Sequence, residues 1–105
     1  MIITTECLLN AFYDWASNDL MSKSSPFQKG VLTFVLLQGK PSISKMFDNL
    51  NFLSENGEFE SEVLFENLEK ALVQMGGEYK LPLIDYNFDV EDLKKVKQYL
   101  RGTAL

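Results

Sequence analysis

Residues 25–39, SPFQKGVLTFVLLQG, carry the strongest local signal in this 105-residue chain. Ser25, Pro26 and Gln28 stand at the N-cap, N1 and N3 positions of a helix. The serine hydroxyl can accept from the Gln28 amide while the glutamine side chain reaches back, and proline at N1 lacks only an amide hydrogen that a first turn leaves unpaired anyway. Gly39 falls where a helix needs a residue tolerant of a left-handed exit. Between these signals VLTFVLL is almost unbroken in its apolarity, so composition alone would also allow a strand. The cap, the terminal glycine and the length make it a helix. Apolarity on nearly every side predicts that this helix, 26–38, is central and buried. The expected fold is mainly α, a single domain over 1–105 with about five helices around 26–38.

Upstream, Leu8, Leu9, Phe12, Trp15 and Ala16 recur at helical spacing over roughly Thr5 to Asn18, with Thr4 or Thr5 as cap and Glu6 in the first turn. SNDLMSKSS, residues 17–25, reads as a polar connection anchored by Leu20 and Met21. Downstream, Pro41 opens a third helix carrying Ile43, Met46, Phe47, Leu50 and Leu53. A fourth covers about 61–75, with Leu64, Phe65, Leu68, Ala71, Leu72 and Met75 on one side and Glu66 and Lys70 as a favourable i,i+4 pair outside. Gly76-Gly77 stops it. The last helix runs from about Val90 to Arg101, with Leu93, Val96 and Leu100 inward and Gly102 as its stop.

Residues 78–88, EYKLPLIDYNF, have a different rhythm. Tyr79, Leu81 and Leu83 alternate, then Ile84, Tyr86 and Phe88 alternate in the opposite phase, which predicts an extended arm that slips near Pro82. The pattern F-acid-x-E-x-L occurs at Phe59–Leu64 and again at Phe88–Leu93. Each copy reads as a helix start, with Glu60 or Asp89 as cap and the preceding Phe stapled onto the Leu. Two such starts side by side predict that the 79–88 arm pairs near Phe59. The alternative is an α+β chain with a small two-stranded ribbon.

That arrangement resembles paired EF-hand loops, so the ligands must be counted. Gly57 at loop position 6 and Phe59 at position 8 put Phe52 at position 1 and Val63 at position 12, where calcium needs carboxylates; Ser54 and Asn56 are neutral. The second copy places Leu81, Leu83 and Tyr86 at positions 1, 3 and 6, leaving only Asp85 and Asp92. No metal is expected, and in the α+β alternative the shape would be EF-hand-like without one.

The formal charge is −5, which repels a phosphate backbone, so no nucleic-acid partner is expected. Lys94, Lys95, Lys97 and Arg101 cluster where a helix C-terminus accommodates cations. The chain has no histidine. Ser-His-Asp and Cys-His catalysis and His-containing zinc sites are thereby excluded within it. The one cysteine, Cys7, reads as an inert core thiol. No signal peptide or membrane span is visible, and the expected location is cytoplasmic. Glu55, Glu58, Glu60 and Glu62 read as solvated acids at a helix start. No cofactor-binding or catalytic constellation stands out.

What remains is contact surface. Tyr79, Leu81, Leu83, Ile84 and Tyr86 put apolar side chains on both faces of an extended segment, which either pairs with a partner or is covered by the chain's own helices. The expected function is a non-enzymatic protein-interaction module: a small acidic adaptor or inhibitor, or a homodimer, its acidic rim steering a basic partner. A degenerate EF-hand-like metal-responsive switch is the competing expectation, and a carboxylate enzyme the third.

Overall fold

A computed structural model describes residues 2–47, 57–81 and 84–103. The chain enters through a short strand, β1 (Ile2–Thr4), and turns at Thr4 into α1 (Thr5–Trp15). The Thr4 hydroxyl accepts from the Cys7 amide at 3.2 Å, which satisfies one of the first-turn donors. The helix does not end at Asn18 as its polar sequence predicts. It widens into a π turn (Ala16–Leu20) and continues through α2 (Met21–Lys23).

The small polar residues are what make that continuation workable. Ser17 Oγ and Asn18 Nδ2 donate to the Asp14 carbonyl at 3.2 and 2.8 Å, Ser22 Oγ to Asp19 at 2.8 Å and Ser24 Oγ to Leu20 at 2.7 Å. Side chains that look like loop formers thus bond back to helix carbonyls three or four residues earlier. Leu20 is fully buried, the anchor that the sequence predicts.

The capping box forms: Gln28 N donates to Ser25 Oγ at 3.2 Å and Ser25 N to Gln28 Oε1 at 2.8 Å, opening α3 (Pro26–Leu37). Gly39 makes the exit with φ 85°, and Pro41 sits in the first turn of α4 (Lys40–Met46). Leu50 and Leu53, expected further along that helix, lie outside the described residues. β2 (Glu58–Glu60) leads into α5 (Ser61–Gln74), where the Glu60 carboxylate accepts from the Val63 amide at 2.9 Å, an effective cap despite the residue type. Gly76 and Gly77, both at φ near 90°, donate to the carbonyls of Val73 and Leu72 and close α5 in a Schellman motif. β3 (Glu78–Leu81) and β4 (Tyr86–Asp89) follow, then α6 (Val90–Thr103), which passes the expected stop at Gly102. The described chain is mostly helical, with five helices once α1, the π turn and α2 are taken as one, and two small antiparallel sheets.

The pairing of those strands corrects one expectation. The 79–88 arm does not reach Phe59. It folds on itself, with Tyr79 opposite Phe88 and Leu81 opposite Tyr86, while Phe59 pairs with Ile3 at the start of the chain. The reversal is local: Asp85 adopts φ 53°, a conformation an acid can hold in a turn, and its carboxylate meets Lys80 at 2.7 Å across the hairpin. Pro82 and Leu83 lie outside the described residues.

The core corrects a second. The surrounded helix is α1. Leu8, Ala11, Phe12 and Trp15 are fully buried, followed by Ala16 and Leu20. Phe12 stacks on Phe47 at 4.3 Å between ring centroids, Trp15 stands edge-on to Phe88 at 5.1 Å, and Phe47 to Phe88 at 5.1 Å. Around this cluster close Ile43 and Met46 of α4, Leu64, Leu68 and Leu72 of α5, and Leu93, Val96 and Leu100 of α6. Phe88 is therefore a core ring, not only a staple on Leu93. By contrast α3 buries only Leu32 and Val35, and Phe27, Phe34 and Leu37 remain 79%, 63% and 81% exposed. The predicted central helix lies at the edge, because the interlocking rings that fill the middle come from α1, from Phe47 at the C-cap of α4 and from β4. Trp15 Nε1 is buried with no hydrogen-bond partner among the described residues, a cost set against the ring packing around it.

Candidate functional site

Four of the five residues expected to form a contact surface are described, and the chain itself takes most of them in. Leu81 and Ile84 are buried, Tyr79 is 7% exposed with its hydroxyl donating to the Met46 carbonyl at 3.0 Å, and Tyr86 is half-buried. Leu83 lies outside the described residues. Among the described residues Ile2, Val63, Val73 and Met75 are exposed singly, and the largest exposed apolar groups, Phe27, Phe34 and Leu37, are together on α3.

Phe27, Gly30, Phe34 and Leu37 follow one another at intervals of 3, 4 and 3 residues. That is the spacing of a helix–helix seam. The seam lies well round the helix from Leu32 and Val35, which hold α3 to the body of the protein. Gly30 is at its centre, and a Cβ placed there would meet nothing within 4 Å. The Gln28 side chain ties the start of α3 to the hairpin through the carbonyls of Ile84 and Asp85, and Tyr13 Oη ties its end through the Leu36 carbonyl. The helix is thus fixed on one side while its other side presents three large apolar groups around a hollow.

Charge sets this region apart. All fifteen acids of the chain lie outside residues 20–47, which contain Lys23, Lys29, Lys40 and Lys45. Lys40 is committed to Glu6 at 2.7 Å, and Lys23 to Asp92. Two signals for this surface were therefore present in the sequence, the seam spacing and the long acid-free run. A reading that takes 26–38 as one continuous apolar block passes over both.

A second constellation surrounds Asp92, whose side chain is 3% exposed. Its carboxylate accepts from Tyr86 Oη at 3.0 Å, from Lys23 Nζ at 3.2 Å and from the Asp89 amide at 3.2 Å. Asp89 in turn caps α6 by accepting from the Asp92 amide at 2.9 Å, so the two residues form a reciprocal cap. Burial pushes the Asp92 carboxyl above its ordinary value, against the lowering effect of those hydrogen bonds. Burial and the neighbouring carboxylate push the Tyr86 phenol up as well. The group joins α2, the hairpin and α6, and both carboxylate oxygens are taken up within it.

The remaining polar sites are surface features. A groove of about 280 Å³ between α5 and α6 is floored by Phe65, Val90 and Leu93 and walled by Glu62, Glu66 and Glu69 against Lys94 and Lys97. Lys97 bridges it to Glu62 at 2.7 Å. Cys7, expected in the core, is half-buried at the first turn of α1, where the Thr4 hydroxyl donates to its sulfur at 3.3 Å and lowers the thiol pKa. Among the described residues no three acid or thiol side chains converge on a point that could hold a metal ion. Of the EF-hand-like positions, Phe52, Ser54 and Asn56 lie outside the described residues, Val63 is exposed, and Asp92 is engaged as above. No described helix is long and apolar enough to cross a membrane. No family model, characterised protein or solved structure matches this chain.

Proposed function

We propose that this chain is a non-enzymatic protein-interaction module, a small cytoplasmic adaptor or inhibitor that works through the outward seam of α3. One observation carries the reading: three large apolar side chains at seam spacing are exposed on a helix anchored from behind. Scattered exposed hydrophobics need no explanation, but a contiguous stripe on a rigid element is the usual mark of a contact site. The Asp92 network adds support from the other direction. A buried carboxylate whose oxygens are occupied by Tyr86, Lys23 and the Asp89 amide serves to join elements and has no face turned to a substrate. The seam also moves the expected electrostatics: α3 carries one charge, Lys29, and no acid, so an acidic rim is not what would steer the partner here.

A photo-reactive phenylalanine analogue at position 34, with the same analogue at position 95 on α6 as control, tests this in cells that make the protein. The expected result is a discrete cross-linked species from position 34 and none from position 95. No adduct at 34, or the same adducts from both positions, overturns the reading.

A further inference from the structure

Resting on that reading, we infer that the occupant of the seam is a second copy of this chain, α3 lying antiparallel on α3 with Phe34 of each copy seated over Gly30 of the other. In an antiparallel seam the a position of one helix faces the d position of its partner. Here that register sets Phe27 against Leu37 and Gly30 against Phe34, and the two-fold axis repeats both pairs on the other side. Each large ring then meets the one position with room for it, since nothing stands within 4 Å of the space above Gly30. A parallel pairing places Phe34 on Phe34 and Gly30 on Gly30, which crowds one level and leaves a void at the other. The stripe is thus self-complementary in one orientation and poorly matched in the other.

Electrostatics favours the same occupant. A chain of charge −5 repels its copy over most of its surface. α3 itself carries no carboxylate, and the acids near its two ends, Asp85 and Glu6, are paired with Lys80 and Lys40, so the two helix faces can meet without setting unpaired acids against each other. The only charge on α3 is Lys29, directed away from the seam. In the antiparallel register the two lysines are offset along the axis by about 9 Å, near the screening length of physiological salt. A seam of one short helix falls at the small end of specific interfaces, below about 1,200 Å² in total, so the dimer forms reversibly and depends on concentration.

Sedimentation velocity across a concentration series, from micromolar to millimolar, tests the register with four proteins: the wild type, Gly30→Leu, Phe34→Ala, and both together. The wild type should pass from monomer to dimer. Each single variant should weaken the dimer by about tenfold or more, one by filling the hollow and the other by removing the ring. The double variant should regain much of the affinity, because the side chain introduced at position 30 then enters the space that loss of the ring leaves at position 34. Circular dichroism reports that the variants fold, which the open surroundings of both positions favour. A wild type that stays monomeric at millimolar concentration overturns the inference, as does a dimer indifferent to Gly30→Leu or a double variant no better than the singles. Binding to anionic lipid vesicles by a chain that remains monomeric overturns it as well. If the chain is monomeric yet position 34 cross-links to a different protein, the self-association fails while the interaction reading stands.

Discussion

α1 and α3 are 11 and 12 residues long, and α3 is the more apolar, with Lys29 as its only charge against Glu6 and Asp14 in α1. Yet α1 is the buried helix and α3 the exposed one. Apolarity in bulk does not choose the centre of a small domain; the shape and placement of side chains do. Phe12 and Trp15 lie on one face of α1 and interlock with Phe47 and Phe88, rings delivered by the C-cap of α4 and by β4. The rings of α3 point the other way from the residues that attach it. One apolar side of α3 holds it to its own domain, through Leu32 and Val35, and the other is the side to which the proposed contact is assigned.

The sharpest way to break that contrast is to remove a ring from α1. Trp15→Ala should cost about 3–5 kcal/mol in urea unfolding, because its neighbours cannot collapse into the cavity. A cost under about 1 kcal/mol would mean that α1 is not the centre.

Next in size is the joint between α2, the hairpin and α6. Asp92→Ala leaves the Asp89 amide and the Tyr86 hydroxyl short of a partner and should cost about 1–3 kcal/mol. Asp92→Asn reads the charge alone. Because burial lifts this carboxyl, the folded protein holds its proton more tightly than the unfolded chain does. The stability this adds is complete below the ordinary carboxyl value of about 4 and is lost as pH rises through the raised one. The wild-type unfolding free energy minus that of Asp92→Asn should therefore fall as pH rises from about 4, and a difference that grows in that direction contradicts the assignment.

The smallest effect belongs to α3. Gly30→Ala places a methyl in open space on a helix interior, and should stabilise the monomer by about 0.5–1 kcal/mol in thermal unfolding at low concentration. A loss of stability there would show that the seam is already covered by this chain.

Local structure was legible wherever a single residue has a single best use. Thr4, Ser25 with Gln28, Pro41, Gly39 and Gly76-Gly77 all mark helix ends in the way their chemistry requires. The stripe on α1 was equally plain, and so was the alternation of Tyr79 and Leu81. What the sequence hid was pairing and place. Nothing local says that Phe59 meets Ile3, a pairing across more than fifty residues, and once that pairing is made the 78–89 segment pairs with itself through a short reversal. The π turn was hidden for a related reason: serine and asparagine favour loops unless a helix carbonyl is there to accept from them, as at Asp14. Of the residues expected to form a contact surface, Tyr79, Leu81 and Ile84 are turned inward by the hairpin, while Phe27, Phe34 and Leu37 stand exposed on α3.

The most direct measurement is the unfolding free energy of the triple variant Phe27→Ser, Phe34→Ser, Leu37→Ser, taken in urea at low micromolar concentration. If the seam faces outward, the variant folds and lies within about 1 kcal/mol of the wild type, the difference reflecting helix propensity. A loss of about 4 kcal/mol or more, or failure to fold, would place those side chains in the core and contradict the proposal.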